Sequence, residues 1–388
     1  MRAGTGLLIA LVAWAVAGCA DRPTADWSRQ LKTDEDYFPI GVWMQETSKA
    51  ERFREMGVNL YVNLWQGPTN AQLAELADAG MEAFCEMAHD GRANLDNPVI
   101  VGWLHTDEPD NAQPANLPGR YDPPITPAQI AHRYRRIKET DPSRPVMVTL
   151  GRGVAWDQWH GRGERVNCPQ DYPAYLEGCD MASFALYPIV SREAPIAGKL
   201  WLVGEGVTRL KTWSGGRRMV WAAVECSRIT NMDIEPTAAE IRAEVWMAII
   251  HGARGILYFA HQFTPAYNAS PILDADHQAL YEGVKQLNWE IHALASAINA
   301  PEAGTPATVA SSVESIPIAA TTRRVEDATY LFAVAMRDGL TRATFTVPDV
   351  RDGAAVEILG EGRSLTVENG RFADDFTGFQ VHLYRISD

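Results

Sequence analysis

Apolar runs of six to eight residues alternate along this chain with segments of helical period. FPIGVWM (38–44), VNLYVNLW (58–65), MEAFCEMA (81–88), VIVGWLH (99–105), PVMVTL (145–150), DMASFALY (180–187), RMVWAAVE (218–225) and GILYFA (255–260) read as strands. Between them, stretches such as NAQLAELADAG, TPAQIAHRYRRIKET and TAAEIRAEVWMAIIHGA carry apolar residues at i, i+3, i+4 spacing, start at Thr or Asn and stop near Gly, as helices do. Strands that are apolar throughout are buried on both faces, the signature of a parallel sheet covered by helices. Eight such units predict an α/β fold, a closed (β/α)8 barrel over 37–300. HDGRANLDNP, between the third and fourth strands, is too short for a full helix, so that crossover is predicted to be degenerate.

The pattern changes at PEAGTPA. From 301 to 388 short alternating runs (TYLFAVAMR, RATFTVP, FQVHLYRI) are separated by turns such as RDG and NG, which predicts a small antiparallel β-sandwich after the barrel.

Composition narrows what the chain does. It has 388 residues, is 46% hydrophobic, and carries a net charge of −14. An acidic chain with no basic block does not fit nucleic acid, whose partners gather Lys and Arg on one face. At the start, Arg2 precedes the apolar GLLIALVAWAVA and then VAGC, so residues 1–18 read as an export signal and 19–36 as a tether. The apolar stretch is too short for a permanent span. VAGC resembles the lipobox of bacterial lipoproteins, which implies lipidation of Cys19 and an outer-membrane location, with the lipid as the only membrane contact. In an oxidising compartment, Cys168 and Cys179, which flank a Pro-containing segment, are predicted to close a disulfide, and Cys85 and Cys226, within apolar runs, to be buried thiols.

In barrels of this kind the loops after the strands build the active site. Residues just past the predicted strands therefore deserve most weight: Trp43, Asn63, Trp65, His89, Asp107, Glu108, Arg152, Tyr187, Glu225 and His261. Glu108, in VGWLHTDEPD, and Glu225, in MVWAAVE, are each carried to the rim by an apolar strand. A pair of carboxyl groups there suits glycosidic bond cleavage, in which one acid protonates the leaving oxygen and another, ionised, attacks the anomeric carbon. Aromatic faces suit the C–H faces of sugars, which adds Trp156, Trp159 and Trp221 as substrate-binding candidates.

These positions resemble the clan A retaining glycoside hydrolases, which include the family 42 β-galactosidases. There the acid/base Glu follows strand four, often as NEP, and the nucleophile follows strand seven. DEP (Asp107-Glu108-Pro109) and VWAAVE fall at those ordinal positions. The resemblance therefore implies Glu108 as acid/base, Glu225 as nucleophile, Tyr187 as the strand-six tyrosine that contacts it, and Asp107 where the family carries Asn. It implies a carbohydrate substrate and neither cofactor nor metal. Two other readings compete: a glycan-binding lipoprotein that keeps the barrel without catalysis, and a metal-dependent hydrolase using His89, Asp90, His105 and Asp107.

Overall fold

The computed structural model describes residues 34–387, apart from 88, 116–118, 160 and 162–167. Eight parallel strands close into a barrel: β1 (Ile40–Trp43), β2 (Leu60–Val62), β3 (Glu82–Glu86), β4 (Ile100–Leu104), β5 (Val146–Leu150), β6 (Met181–Phe184), β7 (Met219–Val220 and Ala222–Glu225) and β8 (Ile256–Phe259). β7 is interrupted at Trp221; its first part pairs with β6, its second with β8, and β8 pairs with β1. Each strand thus has two neighbours and the ring has no free edge, the arrangement the apolar runs predicted.

Local sequence explains why the crossovers are helices. α2 (Asn70–Asp78), α4 (Pro127–Thr140) and α7 (Ala238–Ile250) each begin with a capping box, Thr69 with Gln72, Thr126 with Gln129 and Thr237 with Glu240, in which side chain and backbone satisfy each other's exposed donors. α1 (Ala50–Glu55), α5 (Tyr172–Leu176), α6 (Trp201–Trp213) and α8 (Gln278–Ala293) complete the outer ring with α3 (His89–Ala93), the shortened crossover.

Strand residues alternate between two cores. One set, including Val42, Tyr61, Cys85, Val148, Ala182, Val224 and Tyr258, packs outward against the helices. The other, including Leu60, Val62, Phe84, Leu104, Met147, Met181, Trp221 and Leu257, fills the barrel. Trp221, expected to meet substrate, belongs to this inner core: it is 0% exposed and packs edge-on to Phe84 at 5.9 Å. A side chain at Gly255 would place its Cβ 2.3 Å from the indole, so glycine there makes the room. Trp221 is a packing residue because it sits inside the strand, two full alternations before Glu225 at the rim.

Beyond the barrel, strands β9 (Thr308–Ser311), β12 (Thr341–Thr346) and β15 (Arg371–Phe376) form one antiparallel sheet. β10 (Ile318–Val325), β11 (Ala328–Ala335), β16 (Val381–Ser387), β13 (Ala355–Ile358) and β14 (Arg363–Thr366) form the other, in that order. The two sheets enclose a core of their own. Phe332 against Trp246 at 5.0 Å, and the Arg337 guanidinium 3.5 Å over the Trp201 ring, join the sandwich to the barrel's helices.

The predicted disulfide is not formed. Cys168 lines a crevice beside Asp110, Gly153 and Trp159, whereas Cys179 is buried at the far end of α5, where its thiol donates to the Leu176 carbonyl. Cys85 and Cys226 are the buried thiols expected. Cys19 lies outside the described residues.

Candidate active site

The rim is marked first by its backbone. Met44, Asn63, Glu108 and Tyr187, each at or just beyond the end of β1, β2, β4 or β6, have positive φ (45°, 67°, 41° and 60°). Side chains rarely adopt that conformation, and such strain persists only where surrounding contacts hold it. For Glu108 the contacts are visible. Its amide donates to the Thr149 carbonyl at 3.0 Å, its carbonyl accepts from the Asn111 amide and from Gln113 Nε2, and Asn111 Nδ2 donates to its Oε2 at 2.9 Å. The carboxyl is fixed in place but half-buried, while Asp107 beside it is exposed.

Tyr187 gathers the acids. Burial raises its hydroxyl pKa well above the ordinary value, and the negative charges of Asp107, Glu108 and Glu225 raise it further, with Arg152 opposing. The groups carried by β4, β5, β6 and β7 therefore converge on one phenol.

Glu225 is more enclosed than a rim acid was expected to be. It is 0% exposed, and its Oε1 accepts from the backbone amides of Ile189 (2.7 Å) and Val190 (3.3 Å). Among the described residues no N–H or hydroxyl reaches its Oε2 or either oxygen of Glu244 on α7. Buried beside each other without a donor between them, the two carboxyl groups cannot both carry a charge. Burial raises the pKa of Glu225, and the bonds from Glu244, Ile189 and Val190 draw it back; Glu244 is raised well above the usual range by burial and by the Glu225 charge. Both carboxyl groups are thus pushed towards the protonated form, Glu244 the further of the two.

Two further acids of the rim escaped the sequence reading. Asp110 is buried, accepts from the Gly151 amide and the Tyr172 hydroxyl, and is pushed up to about 7 by burial and by the neighbouring Glu108 charge, against those two bonds. Glu86, the last residue of β3, is raised by burial, with the Asn63 amide and Arg133 opposing. Glu86 stood inside the predicted strand 81–88 and became its last residue only in the fold; Asp110 and Glu244 had no signal beyond being acids.

A cleft of about 810 Å³ opens over the ends of β8, β1 and β2. Trp43, Trp65 and His261 line it with Phe259, and so do Phe263 and Tyr267, which sequence reasoning missed. His261 Nε2 lies 3.1 Å from both the Trp43 carbonyl and Gln45 Nε2, and burial lowers its pKa, so the imidazole is neutral at pH 7. Asn63 is buried and bonded to Glu86, one step from the cleft. Trp156 and Trp159 stand elsewhere: Trp159 walls the Asp110 crevice and Trp156 packs half-buried against the helix layer. His105 points away from the rim to the Gly178 carbonyl, and burial pushes its pKa down to about 4. His89 opens α3, with its side chain outside the described residues. Among the described residues no group of three His, Cys, Asp or Glu side chains is placed to hold a metal ion.

No family model matches the sequence, and no curated protein resembles it in sequence. Solved structures do resemble it in three dimensions. A family 42 β-galactosidase from G. stearothermophilus, in a catalytic mutant, aligns with a TM-score of 0.57 at 7% identity, over 91% of this chain and 98% of that one. An α-amylase from Geobacillus thermoleovorans complexed with acarbose aligns at 0.56 and 9% identity, over 92% and 100%. The α-galactosidase I of Mortierella vinacea aligns at 0.55 and 11%, over 92% and 98%. The chain thus has the fold of (β/α)8 glycoside hydrolases, and the likeness anticipated from DEP and VWAAVE holds at that level.

Proposed function

We propose that the protein is a retaining glycoside hydrolase in which Glu108 is the acid/base and Glu225 the nucleophile. The observation that carries this reading is that Asp107, Glu108 and Glu225, from the ends of different strands, all lie near enough for their charges to act on the Tyr187 phenol. In the first step Glu225 attacks the anomeric carbon while Glu108 gives its proton to the departing oxygen. In the second, Glu108 takes a proton from water, which attacks the same carbon and releases Glu225. The Ile189 and Val190 amides favour the anionic form of Glu225 that attack needs, against the effect of its burial. They also cover it, so this reading requires the turn after Tyr187 to shift when substrate enters. Export and lipid anchoring through Cys19 belong to the same proposal.

The 0% exposure of Glu225 favours a second reading, glycan binding without hydrolysis. Assaying the purified protein on a panel of polysaccharides, with Glu108→Gln and Glu225→Gln beside it, separates the two. Catalysis predicts release of sugar with retained anomeric configuration, and a loss of roughly 10²–10⁴-fold in Glu108→Gln. Full activity in Glu108→Gln would reject its role, and binding without cleavage by the unaltered protein would establish the second reading.

A further inference from the structure

We infer that the cleft over β8, β1 and β2 is a track for an uncharged glycan and that it excludes acidic ones. The inference rests on the protein being carbohydrate-active, whether or not it hydrolyses what it binds.

The topology sets the shape of the cleft. β1 lies between β8 and β2, so the segment after β1 (Trp43 to Ser48) makes the floor, and the segments after β2 and β8 make opposing walls. Trp65 stands on one wall, Phe263 and Tyr267 on the other. These three side chains are 68%, 50% and 65% exposed. Large rings grouped this openly around one concavity leave apolar surface in water that a ligand's apolar face would cover.

The rings also lead somewhere. Tyr267 and Phe263 lie 5.8 Å apart, Phe263 and Phe259 6.4 Å, and Phe259 and Tyr187 5.1 Å, centroid to centroid. His261 runs alongside, nearly parallel to Phe263 at 13°. A continuous aromatic surface therefore joins the open cleft to the phenol beside Glu108 and Glu225. A chain of sugar rings stacked along it would arrive with one unit next to the acids.

Charge then selects among glycans. Besides Tyr267, the ionisable residues lining the cleft are Glu46, Glu75 and His261, and no Lys or Arg lines it among the described residues. Lys49, 3.2 Å from Glu46, offsets that carboxylate alone. The acids at the far end of the track add negative charge at Tyr187, with Arg152 opposing them. A uronate or sulfate in the cleft would lose water without gaining a partner. The polar groups of the floor and walls already bond one another, Ser270 and His261 with Gln45, and Tyr267 with His261, so stacking carries the affinity.

The test titrates the full-length Glu108→Gln protein, chosen so that bound chains stay intact, with hexamers of β-1,4-glucose, mannose and xylose and of α-1,4-glucose, and with hexamers of galacturonate and alginate. Calorimetry or tryptophan fluorescence reads the binding. At least one neutral hexamer should bind, with Kd raised about tenfold or more by adding Trp65→Ala or Tyr267→Ala, both at exposed positions that carry little folding risk. The acidic hexamers should bind at least tenfold more weakly than the best neutral one. An acidic hexamer that binds as well as the neutral ones, no binding by any hexamer, or unchanged affinity in Trp65→Ala would each overturn the inference. Binding by the unaltered protein without hydrolysis would defeat the catalytic reading and leave the track standing.

Discussion

The two ends of the barrel treat the same side chain in opposite ways. At the closed end, where α4 turns into β5, Asp141 accepts from Ser143, from Arg144 Nη1 at 2.7 Å and from Trp103 Nε1 at 2.9 Å. Burial alone would raise its pKa, but these bonds outweigh it and hold the acid down at about 2. At the open end Asp110 accepts from one amide and one hydroxyl, faces Glu108 rather than a cation, and rises to about 7. Both are buried Asp residues. The difference is the partner: the closed end supplies a guanidinium that also bonds the carbonyls of Leu95, Asn97 and Ile100, and the open end supplies further carboxylates. An acid set among donors ties the fold together. An acid set among acids stores free energy that the site can use.

Removing the cation at the closed end should have the largest effect. Arg144→Ala leaves Asp141 buried without its partner and should cost about 3–5 kcal/mol in urea unfolding. A loss below about 1 kcal/mol would show that the closed end is not held by this pair.

Next comes the open end. Because Asp110 has a raised pKa in the folded state, its contribution is complete below about 3.8 and is lost as pH climbs towards about 7. Asp110→Asn should flatten the dependence of stability on pH across that window, and stabilise the protein at pH 7 by up to about 4 kcal/mol. Parallel curves for the two proteins would remove Asp110 from the list of strained acids.

The smallest change is expected for Glu244→Gln, whose amide can still donate to Glu225. Glu244 faces Glu225 and Glu240, and its pKa is raised, so the stability it confers is lost as pH rises above the ordinary carboxyl range. The variant should lack that alkaline decline, a gain of about 1–3 kcal/mol at the highest pH. Should its decline match that of the unaltered protein, the raised pKa of Glu244 would have to be abandoned.

Much of this was legible in the sequence, for local reasons. Strands buried on both faces must be apolar throughout, so RMVWAAVE and PVMVTL announced themselves, and Thr-x-x-Gln or Thr-x-x-Glu marks a helix start wherever it stands. Ordinal position then placed Glu108 and Tyr187 on the rim. The misplacements share one cause. Trp221 sits within its strand and is sealed in the barrel, whereas Trp65, in the loop after a strand, is open, because position along the strand separates core from cleft. Cys168 and Cys179 are close in sequence, but the first lines a crevice and the second is buried at the far end of α5.

From the order of residues alone came the eight-stranded barrel, the appended sandwich and the acids at the mouth, since each depends on periodicity and on position along a strand. Only the folded chain decided that Glu225 is buried beside Glu244, that Asp110 lies near Glu108, and that Phe263 and Tyr267 oppose Trp65. Those are meetings of side chains from different strands and helices, and their energies depend on distance and burial, which no neighbour in sequence reports.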